Sequence, residues 1–146
     1  MRTHFQQRVD EFMRKAGQEL PSSPVVPDLE TRQLRATLIM EEVLETVRAL
    51  GFSVTVTDEM GGPLVELKDE FYPSMKEIAD GCCDVLVVTL GTLSACGMND
   101  ESLMTEVCDS NDSKFIDGHR RTDGKWIKGP SYNPADIDRV LAEQMQ

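Results

Sequence analysis

The stretch KEIADGCCDVLVVTLG, residues 76–91, constrains the fold of this chain more than any other segment. Its second half is apolar enough to lie inside a protein, whereas its first half carries Glu77, Asp80 and Asp84. Because a helix advances about 100° per residue, these carboxylates lie within roughly 60° of one another on one face. Buried anionic side chains are costly unless a cation or a partner neutralises them. The segment therefore predicts a helix that presents an acidic stripe to a positive charge.

A second acidic cluster lies in LIMEEVLETVRAL, where Glu42 and Glu45 project from one helical face and Glu41 is adjacent. The segment between the two clusters predicts a hairpin, which would fold their helices against each other. If the helices pack antiparallel, four to six carboxylate oxygens converge, as a hard cation such as Mg²⁺ requires. The alternative is that each cluster is a solvated surface face. A di-iron centre is disfavoured because neither cluster contains a histidine.

Periodicity and turn residues predict an all-α fold, a four-helix-type bundle forming a single domain over residues 1–146. A small β-hairpin with a Gly61-Gly62 turn separates the second and third helices. The predicted helices cover residues 3–18, Asp28 to Leu50, Pro73 to Gly97, a stretch from Asn99 or Asp100 onward, and a short last helix capped by Asn133 and opened by Pro134. Residues 112–134 are predicted to be loop.

The charge balance limits the partners of the chain. It has 26 acidic and 15 basic side chains, a net charge of −11, which argues against a nucleic-acid-binding surface. An acidic protein still binds a phosphorylated small molecule when metal cations stand between the two. The four cysteines, in helical segments, are expected to be buried and reduced.

The membrane-related signals are weak. The N-terminal residues are too polar for a signal peptide. The apolar run of residues 85–96 is too short to span a bilayer and contains Thr89, Thr92 and Ser94. A core helix, no membrane partner and a cytoplasmic location are therefore expected.

EEVLE, followed about 30 residues later by EIAD, resembles the EExxE and ExxD signature of the all-α nucleoside triphosphate pyrophosphohydrolases. That group includes MazG-like proteins, phosphoribosyl-ATP pyrophosphohydrolase and dimeric dUTPases. The segment EVCDSNDSKFIDGHRRTDGKWIKGPSYNPADI is similar to the C-terminal part of small MazG-like members, often phage-borne.

The resemblance implies hydrolysis of a (deoxy)nucleoside triphosphate to the monophosphate and pyrophosphate. It implies Mg²⁺, or Mn²⁺ in its place, on Glu42, Glu45, Glu77 and Asp80, with Glu41 activating the water. Gly81 departs from the usual pattern, so the ExxD role falls either on Glu77 and Asp80 or on Asp80 and Asp84. All three side chains stay on one helical face in either case.

A basic segment, residues 114–128, has a net charge of +3 within this acidic chain. Lysine, arginine and glycine in a loop suit phosphate binding, and a solvated connector is the alternative. The resemblance adds weight to Asn111 and Lys114 as nucleotide contacts. The expected substrate-binding residues are Asn111, Lys114, Arg120, Arg121, Lys125 and Lys128.

Self-association is also expected, as a homodimer or homotetramer. It follows partly from the resemblance and partly from residues 85–96, which are apolar on nearly every side and more than a small bundle buries alone. The competing function is a non-enzymatic acidic helical module that binds a protein partner or a regulatory divalent cation. The missing GxxxxGK[ST] loop argues against Walker-type nucleotide binding.

Overall fold

The structure, a computed structural model, describes residues 1–59 and 62–146. The chain is mostly helical, with two small antiparallel hairpins. In chain order the elements are α1 (His4–Lys15), α2 (Leu29–Ala49), β1 (Phe52–Glu59), β2 (Gly62–Asp69), α3 (Met75–Ala95), α4 (Asp100–Ser113), β3 (His119–Arg120), β4 (Trp126–Ile127) and α5 (Ile137–Gln144).

Helix boundaries follow the capping signals in the sequence. Asp28 caps α2 by accepting the Thr31 N–H at 2.8 Å. At the other end Gly51 has φ +102°, a left-handed conformation that ends the helix and is strained for any residue with a Cβ. The prediction of a helix from Asp28 to Leu50 is therefore confirmed.

The hairpin between α2 and α3 is confirmed too. β1 and β2 pair antiparallel along their whole lengths, from Phe52 opposite Asp69 to Glu59 opposite Gly62. The predicted Gly61-Gly62 turn lies partly outside the described residues. Side chains along β2 are exposed, so the hairpin projects from the helices rather than contributing a core.

The contacts divide the chain into two compact units. The first contains residues 1–26 and 93–146, and the second contains residues 27–92. The apolar core of the first unit comes from Val9, Met13, Ala95, Leu103 and Val140.

Gln6 is the central polar residue of the first unit and is fully buried. Its side-chain amide donates to Ser94 Oγ at 3.1 Å and to the Met98 carbonyl at 2.8 Å. Its Oε1 accepts the Asp100 N–H at 3.0 Å. One side chain of α1 thus satisfies polar groups at the end of α3, in the connection and at the start of α4.

The second unit buries little of its apolar surface. Large side chains of α2 and α3 stay exposed in the single chain, among them Leu44, Leu86 and Val87. The prediction that residues 85–96 form a core helix is therefore wrong for the first half of that run, whereas Ser94 and Ala95 are buried. By length and composition α3 is able to cross a membrane, a test that core helices of soluble proteins also pass.

Three local predictions need correction. Residues 112–134 are not all loop, because α4 continues to Ser113 and β3 pairs with β4. The last helix begins at Ile137 and is capped by Asp136, whose side chain accepts the Arg139 N–H at 3.0 Å, not by Asn133. The cysteines are not buried, since Cys82, Cys83 and Cys108 are exposed and Cys96 is half-buried. Short elements and burial depend on tertiary contacts that local patterns do not encode.

The hydrogen bonds of Gln6 lead to the first prediction. Gln6→Ala leaves the Asp100 N–H, the Met98 carbonyl and Ser94 Oγ without their buried partner, so we expect a loss of about 2–4 kcal/mol in the free energy of unfolding. Gln7→Ala is the matched control on the exposed side of α1 and should cost less than about 1 kcal/mol. Urea denaturation measures both, and equal losses would contradict this role of Gln6.

Candidate active site

The second unit places α2 and α3 antiparallel, as the sequence argument required. The Ser74 N–H donates to the Ala49 carbonyl at 3.1 Å, so the start of α3 lies at the end of α2. One to two turns further along α3, Gly81 lies against Thr46. Further along α3, Asp84 lies near enough to Glu42 for its negative charge to contribute, after burial, to the raised pKa of Glu42.

The closest approach of these helices is at Gly81. A Cβ at this position would lie 3.2 Å from the Thr46 Cα and 2.5 Å from its hydroxyl oxygen. The Thr46 hydroxyl is fixed, because it donates to the Glu42 carbonyl at 2.7 Å. Glycine at residue 81, the departure from the family pattern, therefore permits the two acidic faces to come together.

A cleft of about 380 Å³ opens between the two acidic faces. Its lining contains four of the predicted metal ligands, one arginine and two small residues. They are Glu45, Arg48, Ala49, Glu77, Asp80, Gly81 and Asp84. Both alternatives for the ExxD role thus lead to the same cleft.

Glu42 of α2 lies near Asp84, one of the lining residues, and is half-buried. Its pKa is raised above the usual value, first by burial and then by the negative charges of Asp84, Glu45 and Glu41. Glu41 itself is exposed and does not line the cleft, and its charge acts on Glu42. Carboxylates of both helices therefore repel one another across the cleft, as they would where a cation belongs.

The donor set fits a hard divalent cation by its chemistry. Every predicted ligand is a carboxylate, and carboxylate oxygens are the ligands that Mg²⁺ and Mn²⁺ take in proteins. Within residues 1–59 and 62–146, no three His, Cys, Asp or Glu side chains already converge tightly enough to hold one ion.

Arg48 is the cleft residue that sequence reasoning missed. It lies three residues after Glu45 on the same face of α2, and its guanidinium carbon is 4.6 Å from the centroid of the Phe71 ring. The i, i+3 spacing after EExxE was the available signal.

The predicted substrate-binding residues lie in the first unit. Lys114 donates to the Asn111 side chain, so these two residues are together at the end of α4. Lys114 and Lys128 both lie over the Tyr132 ring, with the Lys128 Nζ 4.0 Å from its centroid. Hydrogen bonding with Ser110, then with Lys128, lowers the pKa of the Tyr132 hydroxyl.

The remaining basic residues lie on or beside the β3–β4 hairpin. Arg121 forms an ion pair with Asp123, and the Lys125 N–H donates to the same carboxylate. Arg120 is exposed and donates to the Gly124 carbonyl at 3.4 Å. The hairpin is attached to α4 through Trp126, whose indole N–H donates to the Lys114 carbonyl at 2.6 Å. Arg120, Arg121 and Lys125 thus make their contacts within the hairpin, whereas Lys114 and Lys128 contact the Tyr132 ring.

Residues 9–111 match the family model described as phosphoribosyl-ATP pyrophosphohydrolase. The match covers more than half of the chain, including both helices of the acidic cleft. The chain belongs to the phosphoribosyl-ATP pyrophosphohydrolase family. The predicted relationship with MazG-like pyrophosphohydrolases is therefore confirmed. Among curated proteins, none matches the chain.

Membership of the phosphoribosyl-ATP pyrophosphohydrolase family implies an enzyme that hydrolyses a nucleotide with release of pyrophosphate. This favours the enzyme over the non-enzymatic acidic module. The match ends at Asn111, so the family model does not reach Lys114 or the rest of the basic segment. The acidic cleft is the part of the candidate site that lies within the matched region.

The contact between Gly81 and Thr46 leads to the second prediction. Alanine is normally better than glycine inside a helix by about 1 kcal/mol, but here the added methyl group overlaps Thr46. We expect Gly81→Ala to destabilise the protein by about 1–3 kcal/mol. Thr46→Ala removes the nearest atom, so the double variant should recover part of that loss. Thermal unfolding of the four proteins of this cycle measures the coupling, and a Gly81→Ala variant at least as stable as the parent would contradict the contact.

Proposed function

We propose that the protein hydrolyses a (deoxy)nucleoside triphosphate between the α- and β-phosphates, giving the monophosphate and pyrophosphate, and so controls a nucleotide pool. The observation that carries the proposal is the cleft itself. Glu45 from α2 and Glu77, Asp80 and Asp84 from α3 line one cavity, in a chain of a pyrophosphohydrolase family.

Glu42, Glu45, Glu77 and Asp80, together with Asp84, would hold Mg²⁺ or Mn²⁺ in this proposal. Such ions supply charge neutralisation of the phosphates and Lewis-acid activation. The pKa of Glu42 is raised first by burial and then by negative charges from both helices, and these charges near one carboxylate support the assignment. The carboxylates thereby make an acidic protein compatible with an anionic substrate.

Glu41 is the proposed general base. It is exposed, it is adjacent in sequence to Glu42, and its charge acts on Glu42 together with that of Asp84. A carboxylate at that position would orient the attacking water and accept its proton. Asn111, Lys114 and Lys128, with Arg120, Arg121 and Lys125, would contact the nucleotide through charge-assisted hydrogen bonds.

Self-association is part of the proposal. Leu86 and Val87 of α3 are 62% and 43% exposed in the single chain, and Leu44 of α2 is exposed as well. Large exposed apolar side chains are typical of surfaces buried between subunits when they form a patch. A homodimer or homotetramer would bury them. The cytoplasmic location and the absence of nucleic-acid and membrane partners stay predictions.

A nucleotide panel tests the function. Pyrophosphate release from dUTP, dCTP, dGTP, the corresponding ribonucleotides and phosphoribosyl-ATP, with and without Mg²⁺, should identify at least one metal-dependent substrate. With that substrate, Glu42→Gln and Glu45→Gln should each reduce turnover at least tenfold, equivalent to about 1.4 kcal/mol of transition-state stabilisation. The reason is that each variant removes one charged metal ligand, whereas the side chain keeps nearly the same size and packing.

Glu30→Gln is the matched control, because Glu30 lies in the first turn of α2, far from the cleft along the helix. It should retain full turnover, and circular dichroism should show all three variants equally helical. Pyrophosphate release that is absent from the whole panel would refute the proposed function. Full turnover by Glu42→Gln or Glu45→Gln would remove that residue from the ligand set.

A further prediction concerns the basic residues. Replacing Lys114, Lys125 and Lys128 with Met should weaken binding of the nucleotide substrate and leave Mn²⁺ affinity unchanged, because lysines contact phosphate and not metal. Each lost contact should cost about 1.5–3 kcal/mol when shielded and less when exposed. Lys15→Met on α1 is the control. Titration calorimetry with a non-hydrolysable analogue measures both affinities, and an unchanged nucleotide affinity would make this segment a solvated connector.

A further inference from the structure

Arg48 is a cation in a cleft whose other charged residues are all carboxylates. Glu45, Glu77, Asp80 and Asp84 line the same cavity. In the described part of the chain, Arg48 nevertheless forms no ion pair within 4.0 Å, whereas Arg2, Arg121 and Arg139 all do. Its guanidinium donors are therefore available to a ligand in the cleft.

Arg48 is exposed and is in contact with an aromatic ring. The guanidinium lies over the face of Phe71, 4.6 Å from the ring centroid, a cation–π arrangement. Phe71 is held in turn by the backbone, because its N–H donates to the Gly51 carbonyl at 2.9 Å. The turn after α2 thus places the Phe71 ring beside Arg48.

The position of Arg48 along the cleft indicates which part of a ligand it would contact. Because α2 and α3 are antiparallel, Arg48 lies at the Glu77 end, whereas Glu42 and Asp84 form the opposite end. The six residues from Glu42 to Arg48 correspond to about 9 Å along the helix axis. A phosphate chain whose reacting phosphorus lies near Glu42 and Glu41 would extend toward Arg48.

The chemistry of arginine matches such a ligand. Its planar guanidinium donates paired hydrogen bonds to phosphate oxygens, and its charge is never lost. Stacking on an aromatic ring limits the conformational freedom lost on binding.

Resting on the proposed function, we infer that Arg48 is a substrate-binding residue of the acidic cleft and contacts the β- and γ-phosphates, the part that leaves as pyrophosphate. Arg48 and Phe71 thereby form a pyrophosphate-binding pair at the Glu77 end of the cleft. The carboxylates bind the metal, and Arg48 binds phosphate directly.

The test uses inorganic probes, so it does not depend on knowing which nucleobase the substrate carries. Affinities for pyrophosphate, tripolyphosphate and orthophosphate are measured by calorimetry at saturating Mg²⁺, and Mn²⁺ affinity is measured separately by paramagnetic titration. Arg48→Gln should bind pyrophosphate and tripolyphosphate about 10- to 100-fold more weakly. Orthophosphate should change less than threefold, and Mn²⁺ should bind as tightly as in the parent or more tightly, since a positive charge has left the cleft.

Three further variants sharpen the assignment. Arg48→Lys keeps the charge and loses the paired hydrogen bonds, so its pyrophosphate affinity should be intermediate. Phe71→Leu removes the ring and should weaken pyrophosphate binding by a smaller factor. Arg32→Gln, an exposed arginine near the start of α2, is the matched control and should bind all probes as the parent does.

Several outcomes overturn the inference. The first is a parent protein that binds neither pyrophosphate nor tripolyphosphate. The second is an Arg48→Gln variant that binds these probes as Arg32→Gln does. The third is an Arg48→Gln variant that loses Mn²⁺ affinity in parallel with pyrophosphate affinity, which would mean that Arg48 only supports the fold. Failure of the proposed function is recognised separately. In that case the parent releases no pyrophosphate from any nucleotide, while pyrophosphate binding still reports on Arg48.

Discussion

The close approach of α2 and α3 at Gly81 determines what the second unit is able to do. Without a side chain at residue 81, α3 lies directly against Thr46, and the acidic faces of both helices border one cleft. The approach brings like charges together, since the pKa of Glu42 is raised first by burial and then by the charge of Asp84 on the other helix. A fold that accepts such repulsion loses stability unless a cation restores it, so the cleft and its proposed ligand are parts of one electrostatic arrangement.

Much of this arrangement was predictable from the sequence. Asp28 and Gly51 mark the ends of α2, and the i, i+3, i+4 and i+7 spacing of Glu77, Asp80, Gly81 and Asp84 places them on one face whatever the tertiary structure. The hairpin between the helices made the antiparallel packing predictable, because its second strand returns the chain to the end of α2, where α3 begins. These features are local, and local rules were sufficient.

The errors concern features that depend on the rest of the molecule. Apolar character suggested that Cys82 and Leu86 are buried, but burial requires a partner surface, and the single chain supplies none for the first half of the run. The β3–β4 hairpin was missed because its strands have only two residues each and depend on Trp126 bonding to α4. Arg48 was missed because its contact with Phe71 joins residues distant in sequence, which become adjacent only after the turn at Gly51 forms.

The two kinds of cation in this protein have different surroundings, and this bears on how a polyphosphate would be held. Lys114 and Lys128 lie over the Tyr132 ring, and Arg121 is already paired with Asp123. Flexible ammonium groups on a small loop serve as adaptable contacts whose strength depends on ionic strength. Arg48 is also stacked on a ring, but it lies among the carboxylates of the acidic cleft, and the backbone N–H of its ring residue, Phe71, donates to the Gly51 carbonyl. In the proposed arrangement, a guanidinium beside the carboxylates would orient the leaving group, which is the part of a triphosphate that metal ligands alone would leave free to rotate.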